Sequence, residues 1–451
     1  MLRALWFFIQ IGLVVAAALW LLERPGEVLL QWQSYTITMQ AGIFALGGVI
    51  GLLLLVQLVR IFGFVFSIPG MMSARRREKN RQKGMVALTR GLAAISAGDV
   101  KTAARLSRRA EKYLPAQALP LLLSAQSASL EGNRSRARGL YEQLLNDKDG
   151  AFFGLRGLIQ SAIAREDKEE ALKYAHTALE KNPRVGWVLN LVYTLELACR
   201  KWEEAEKTLL RIERAKARPV KEITRDRIAF YLLKAKGEDE RWLKKAYALD
   251  PLSLPAAISL ARYYAAHKKD KKAVQVIEKI WPSHAHPDLL EVWVRLAPEN
   301  KPSDMMKRLR WFERLVALNP ESALGQMAAA KAAMEDGLWN EAGAYLSMAE
   351  TLGPSAELYN LRAQLERSTS RDEDIALHWL ELAAEAPPSK VWTCSQTGTV
   401  YKDWAPVAEP HGAFNTIVWD YPGQATRRLS APFSMQDSLG FFPQIPDGKA
   451  A

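Results

Sequence analysis

Alanine recurs along this chain on a fixed grid. Ala103 in "GDVKTAARL", Ala137 in "GNRSRARGL", Ala171 in "EDKEEALKY" and Ala205 in "RKWEEAEKT" are each 34 residues apart. Ala273 falls on the same grid two periods later, and Ala342 and Ala376 continue it after a one-residue slip. Twelve residues after many grid positions comes a proline: Pro115, Pro183, Pro251, Pro354 and Pro388. A period of this length is one supersecondary unit that buries its apolar face only by stacking on its neighbours. A small residue suits the point where two helices cross closely. Polar or acidic residues just before it, as at Asp167 and Glu169, suit a helix start.

The pattern resembles the tetratricopeptide repeat, with about nine units between 84 and 388 and degenerate ones near 239 and 307, where the alanine is missing. The expected fold class is all-α: an N-terminal two-helix transmembrane hairpin, a tetratricopeptide-type α-solenoid, and a small aromatic-rich, ribbon-like C-terminal tail. Such a solenoid presents a groove lined by the first helix of each repeat. Counting back from the alanines puts Gln126, Arg156, Gln160, Asn190, Thr194 and Arg262 on that face. Side chains of this kind hold an extended or carboxylate-bearing segment of a protein partner.

The N-terminus points to a membrane. Residues 5–22 and 41–59 are uncharged apolar runs joined by an eighteen-residue loop, long enough for two spans. The connecting loop is slightly acidic, and its "GEVLLQWQSYTITM" suggests a small extended turn at the interface. After the second run come Arg75, Arg76, Arg77, Lys79, Arg81 and Lys83 against a single Glu78. The positive-inside rule keeps that flank, both termini and the repeats in the cytoplasm of a bacterium, with the protein integral to the inner membrane. The same cations suit anionic head groups better than nucleic acid, given their place beside a span. The expected domains are a hairpin over 1–66, a basic linker over 67–83, the solenoid over 84–388, a ribbon-like module over 389–423 and a flexible tail over 424–451.

Motifs for catalysis are missing. The sequence holds no phosphate-binding loop, no dinucleotide fingerprint, no H-E-x-x-H and no nucleophile elbow. The expectation is a non-enzymatic protein without a cofactor. His284 and His286, in "WPSHAHPD", are the one close histidine pair and the one candidate for haem ligation, although loop residues are more often solvated. Of the two cysteines, Cys199 follows an apolar helical pattern and is expected to be buried.

Past Pro388 the helical pattern stops and aromatics gather: Trp392, Tyr401, Trp404, Phe414, Trp419 and Tyr421. "VWTCSQTGTVYKDWAPVAEPHG" has the outline of a zinc ribbon, with Cys394 and His411 at ligand positions but Thr397 and Ala408 at the other two. Two ligands do not close a tetrahedral structural site, so the module is expected to be metal-free and held by its aromatic rings.

The short "PGEVLLQW" loop between two spans, the basic stretch, the repeats and the "VWTC" to "GAFNTIVW" tail together resemble HemY-type membrane-anchored proteins, in their alphaproteobacterial form. The resemblance implies a scaffold linked to late haem and porphyrin metabolism, with a haem-pathway enzyme as partner. Its alternative implication is a protein that handles haem or porphyrin itself. A flavin-dependent protoporphyrinogen oxidase shares the family's name, but the absent dinucleotide fingerprint separates this chain from it.

Overall fold

The computed structural model describes residues 26–32, 35–115, 117–299, 305–369 and 373–423, together with Gly12, Val15, Ala16 and Trp20. The first apolar run, 5–22, otherwise lies outside the described residues, as does the tail from 424 onward. The chain divides into two compact units, Met1–Glu131 and Gly132–Ala451. That boundary falls inside the second repeat.

The first unit opens with a hairpin of β1 (Glu27–Trp32) and β2 (Tyr35–Gln40), antiparallel with Glu27 opposite Gln40 and Trp32 opposite Tyr35. The extended turn read from the sequence is therefore present. Helix α1 (Ala41–Ser96) follows and is 56 residues long. Its Ala41–Val59 stretch has a mean hydropathy of 2.4, and among the described residues it alone is long and apolar enough to cross a membrane. The same helix continues through 67–83, so the expected linker is a helix, and its last turns become the first helix of the first repeat. Asp99 caps α2 (Val100–Tyr113) by accepting from the Thr102 amide. Ala103, Ser107 and Ala110 are the buried face of α2. Two glycines let α1 accept its neighbours closely. A Cβ on Gly84 would stand 2.5 Å from Leu114, and one on Gly91 2.6 Å from Leu123 in α3 (Ala118–Leu130).

The second unit runs through α4 (Arg134–Leu145), α5 (Ala151–Ile163), α6 (Lys168–Lys181), α7 (Gly186–Ala198) and α8 (Trp202–Arg214). It continues with α9 (Val220–Ala235), α10 (Glu240–Leu249), α11 (Leu254–Ala266), α12 (Asp270–Ile280) and α13 (Pro287–Arg295). The last five helices are α14 (Met305–Leu318), α15 (Ala323–Glu335), α16 (Trp339–Leu352), α17 (Ala356–Thr369) and α18 (Glu373–Glu385). The 34-residue period is written into the backbone of both units. Gly98, Gly132, Glu166, Arg200 and Lys268 all have positive φ, and each stands at the turn between the two helices of a repeat. In the next position Asp99, Asn133 and Asp167 cap the second helix with a side-chain oxygen. Ala103, Ala137, Ala171, Ala205, Ala273, Ala342 and Ala376 are all buried. The register read from the sequence is the register of the fold. The degenerate unit near 239 is built on α10, which spans only 10 residues.

After α18 the chain forms two small sheets. One has the order β4 (Val400–Tyr401), β3 (Val391–Cys394), β7 (Ile417–Asp420), and the other pairs β5 (Val407–Ala408) with β6 (Ala413–Phe414). Trp392, Cys394, Ala408 and Ile417 belong to the same hydrophobic cluster as the repeat helices α9 to α17, so the ribbon-like module is part of the solenoid core and not an appendage.

Candidate partner-binding face

The six residues assigned to the groove meet different fates. On α3, Gln126 is buried, and its Oε1 has no hydrogen-bond partner among the described residues. On α5, Arg156 and Gln160 are half-buried. The Arg156 guanidinium lies 5.4 Å over the Trp187 ring, and burial holds its pKa below the usual arginine value. Asn190 and Thr194, on α7, both bond to the chain's own backbone. Asn190 is buried and donates to the Ala217 carbonyl at 3.4 Å, while the Thr194 hydroxyl donates back to the Asn190 carbonyl at 2.9 Å.

Arg262, on α11, is already engaged by the chain's own C-terminal module. Its Nη1 donates to Asp403 at 2.9 Å, and its Nη2 lies 3.6 Å from Asp288 and 3.5 Å from Glu291. Further contacts seat the module across α7 to α13. Arg200 pairs with Glu409 at 2.9 Å, and the Trp392 indole donates to Asp288 at 3.2 Å. The Phe414 ring centre is 4.5 Å from that of Phe230 and 5.7 Å from that of Trp202. At the module's tip Asn415, a left-handed residue, donates through its Nδ2 to Asp226 at 2.8 Å. The other Asp226 oxygen accepts from the buried Tyr193 hydroxyl at 3.0 Å, and Arg218 lies 3.5 Å from it. Burial, then the Asp226 charge, raises the Tyr193 pKa.

His286 is fully buried, against the expectation of a solvated loop, while His284 is exposed. The His286 ring sits 4.1 Å from Trp419 and 5.0 Å from Trp392, and its Nδ1 accepts from the Asp288 amide to start α13. Burial, with the Arg262 charge nearby, lowers its pKa to about 4. The two histidines therefore do not form a pair of open imidazoles.

At the ribbon positions, the Cys394 thiol is buried 3.3 Å from the Thr416 hydroxyl. Burial pushes its pKa up, but hydrogen bonds from Thr397 and Thr416 outweigh this and leave it lowered. The Thr397 hydroxyl bonds to Thr399, and Ala408 is buried in β5, so neither supplies a metal donor. Trp404 closes the module by donating to the Ile417 carbonyl. Aromatic rings do hold the module, but Trp392, Trp419 and Phe414 spend their faces on the repeats.

A second surface was only half visible in the sequence. From Arg75 to Tyr113 the chain holds twelve Lys or Arg against Glu78, Asp99 and Glu111, so nine of the twelve net positive charges of the protein lie here. Arg76 to Arg90 on α1 and Lys101 to Lys112 on α2 form no ion pair among the described residues. Lys79, Lys83, Arg90 and Arg109 rim a cleft of about 320 Å³ floored by Val86, Ala87 and Leu106. The cations beyond Lys83 were missed because they are spread over two helices instead of one run.

Hairpins with a 34-residue period, left-handed turns at Gly98, Gly132, Glu166, Arg200 and Lys268, and buried alanines at seven grid positions make this a tetratricopeptide-repeat protein. Residues 26–132 match the family model described as HemY protein N-terminus. A relative from Magnetospirillum gryphiswaldense, "Probable magnetosome protein Mms48", is 22% identical over 463 residues, covering 97% of this chain and 98% of that protein. Among solved structures, a tetratricopeptide repeat protein from Parabacteroides merdae is similar over 67% of this chain and 99% of its own, at 14% identity and a TM-score of 0.27. MamA is similar over 51% of this chain and 93% of its own, at 12% identity and a TM-score of 0.18.

Proposed function

We propose that this protein is a non-catalytic scaffold, anchored in the bacterial inner membrane by two spans, whose repeats recruit a protein partner from the cytoplasm. The observation that carries the reading is α1, in which an apolar stretch at Ala41–Val59 and the first helix of the repeat array are one helix. The hairpin β1–β2 would be the periplasmic turn, and Arg75 to Arg77, the end of the basic run nearest the span, would face the anionic inner leaflet. The HemY relationship supports a partner from late haem or porphyrin metabolism. Haem ligation by the protein itself is the weaker reading, because His286 is sealed beneath Trp392 and Trp419.

Two measurements test the proposal. A reporter active only in the periplasm, fused after residue 90, should stay silent, and activity there would reverse the topology. A photo-crosslinking residue at Gln160, a half-buried groove position, should capture a defined cytoplasmic protein in cells. No crosslink at Gln160 or Arg156 would remove the groove from the scaffold. Haemin added to the purified protein should give no Soret shift that His286→Asn abolishes.

A further inference from the structure

The first repeat differs from the next ones at the face where a preceding helix would stack. In the third repeat that face is covered: a Cβ on Gly154 would stand 2.6 Å from the Tyr141 carbonyl and 2.9 Å from Leu144, both on the preceding helix α4. Two periods earlier, in register with Gly154, stands Val86, which is 51% exposed. Leu158 and Val192, buried in the third and fourth repeats, correspond in register to Arg90, which is exposed. No described element covers Val86 or Arg90, and what remains there is the cleft rimmed by Lys79, Lys83, Arg90 and Arg109. Its floor is apolar and its rim cationic, and none of these four cations forms an ion pair among the described residues.

The geometry points to this open end as a docking site for an amphipathic helix with acidic flanks, supplied by a partner protein; this rests on the scaffold reading above. A helix is the occupant because the corresponding face of the third repeat is filled by one. The flanks are acidic because the rim cations form no ion pair among the described residues, Lys83 and Arg109 lying only over the Tyr113 ring. The apolar stripe follows from Val86 and Leu106, on the helix-in-groove logic of apolar anchors at helical spacing. A lipid surface fits less well. At 1.5 Å per residue Arg90 stands roughly 46 Å along α1 from Val59, several times the ~8 Å over which exposed charges act at physiological ionic strength.

The experiment uses the full-length protein in zwitterionic nanodiscs and a short fluorescent peptide with a leucine stripe and glutamate flanks. Binding should be measurable by anisotropy, weaken at higher salt, and fall about tenfold or more for Arg90→Glu/Arg109→Glu. Val86→Glu, an exposed position where folding is not at stake, should weaken it too. The same peptide with lysine flanks should bind at least about tenfold more weakly. Equal binding of the two peptides, or of wild type and the double variant, would overturn the site. So would complete displacement of the acidic peptide when phosphatidylglycerol replaces the zwitterionic lipid, since the face would then belong to the bilayer. A crosslink from Gln160 that survives any of these failures leaves the scaffold reading standing without this site.

Discussion

On α1 and α2 none of the described cations forms an ion pair, whereas several cations of α7 to α13 are met by acids from elsewhere in the chain. Arg200 finds Glu409 and Arg262 finds Asp403, both in the C-terminal module. Arg227 finds Glu213 on the preceding helix, at 2.6 Å. The same hairpin thus serves two ends: one repeat keeps its charge for something outside itself, and others use theirs to hold neighbouring helices or the chain's own last strands. Where a repeat's charges are already paired, a partner must displace something to bind. Where they are unpaired, it need not.

The largest effect tests whether the satisfied region depends on its packing more than on its charges. Ala171 is wholly buried at a helix crossing, and Ala171→Phe should cost about 3 kcal/mol by overpacking, read as a lower melting temperature of the full chain. Loss of hydrogen-exchange protection should centre on α5 to α8, because repeats contact only their neighbours. An unchanged melting curve would break the register on which the comparison stands.

Next is the anchor of the module. Asp226→Ala leaves the buried Tyr193 hydroxyl and Asn415 without their acceptor and should cost about 2 kcal/mol. Exchange in 391–423 should rise while α1 and α2 are unaffected. Equal protection of the module in both proteins would show that Asn415 does not seat it.

Acidity sharpens the comparison further, because the second unit buries two groups of opposite sense. Glu196 is buried on α7, and burial raises its pKa to about 7. The folded state keeps a proton that the unfolded state has lost above its ordinary value of 4.5, so this group's contribution to stability is lost as pH rises from 4.5 to 7. Glu196→Gln should therefore gain about 1–2 kcal/mol at pH 8 and little at pH 4.5, measured by denaturant unfolding. His286 does the reverse. Its folded pKa of about 4 lies below the ordinary 6.5, so the stability it contributes is lost as pH falls from 6.5 to 4. His286→Asn should flatten that fall.

The smallest effect belongs to the exposed cations. Arg105→Gln with Arg108→Gln removes two charges that form no ion pair among the described residues, and should move stability by no more than about 0.5 kcal/mol. A larger loss would mean that the first repeat's charges are as structural as those around Arg262.

The repeat register was legible because it is local. The alanines, the proline ends and the polar residues at helix starts each sit within one 34-residue unit. The docking of the module was not legible, since Arg200 and Glu409 are 209 residues apart and Asn415 and Asp226 are 189 apart. Nothing in the spacing of either segment announces the other. The burial of Asn190 was hidden for a related reason: it comes from the approach of Ala217, 27 residues away in the chain. Cys199, expected to be buried, is only half so, because it closes α7 at a turn.

The unbroken course of α1 also fixes a compass bearing. A flexible tether would let the first repeat point anywhere, but a helix transmits twist. Each residue inserted between Val59 and Gly84 would swing the basic cleft by about 100° around the helix axis and raise it about 1.5 Å. Seven inserted residues would bring it back to within about 20° of its starting azimuth, about 10 Å higher. Inside an anchored assembly, the length of that rod would decide which neighbour the cleft faces as well as how far from the bilayer it stands.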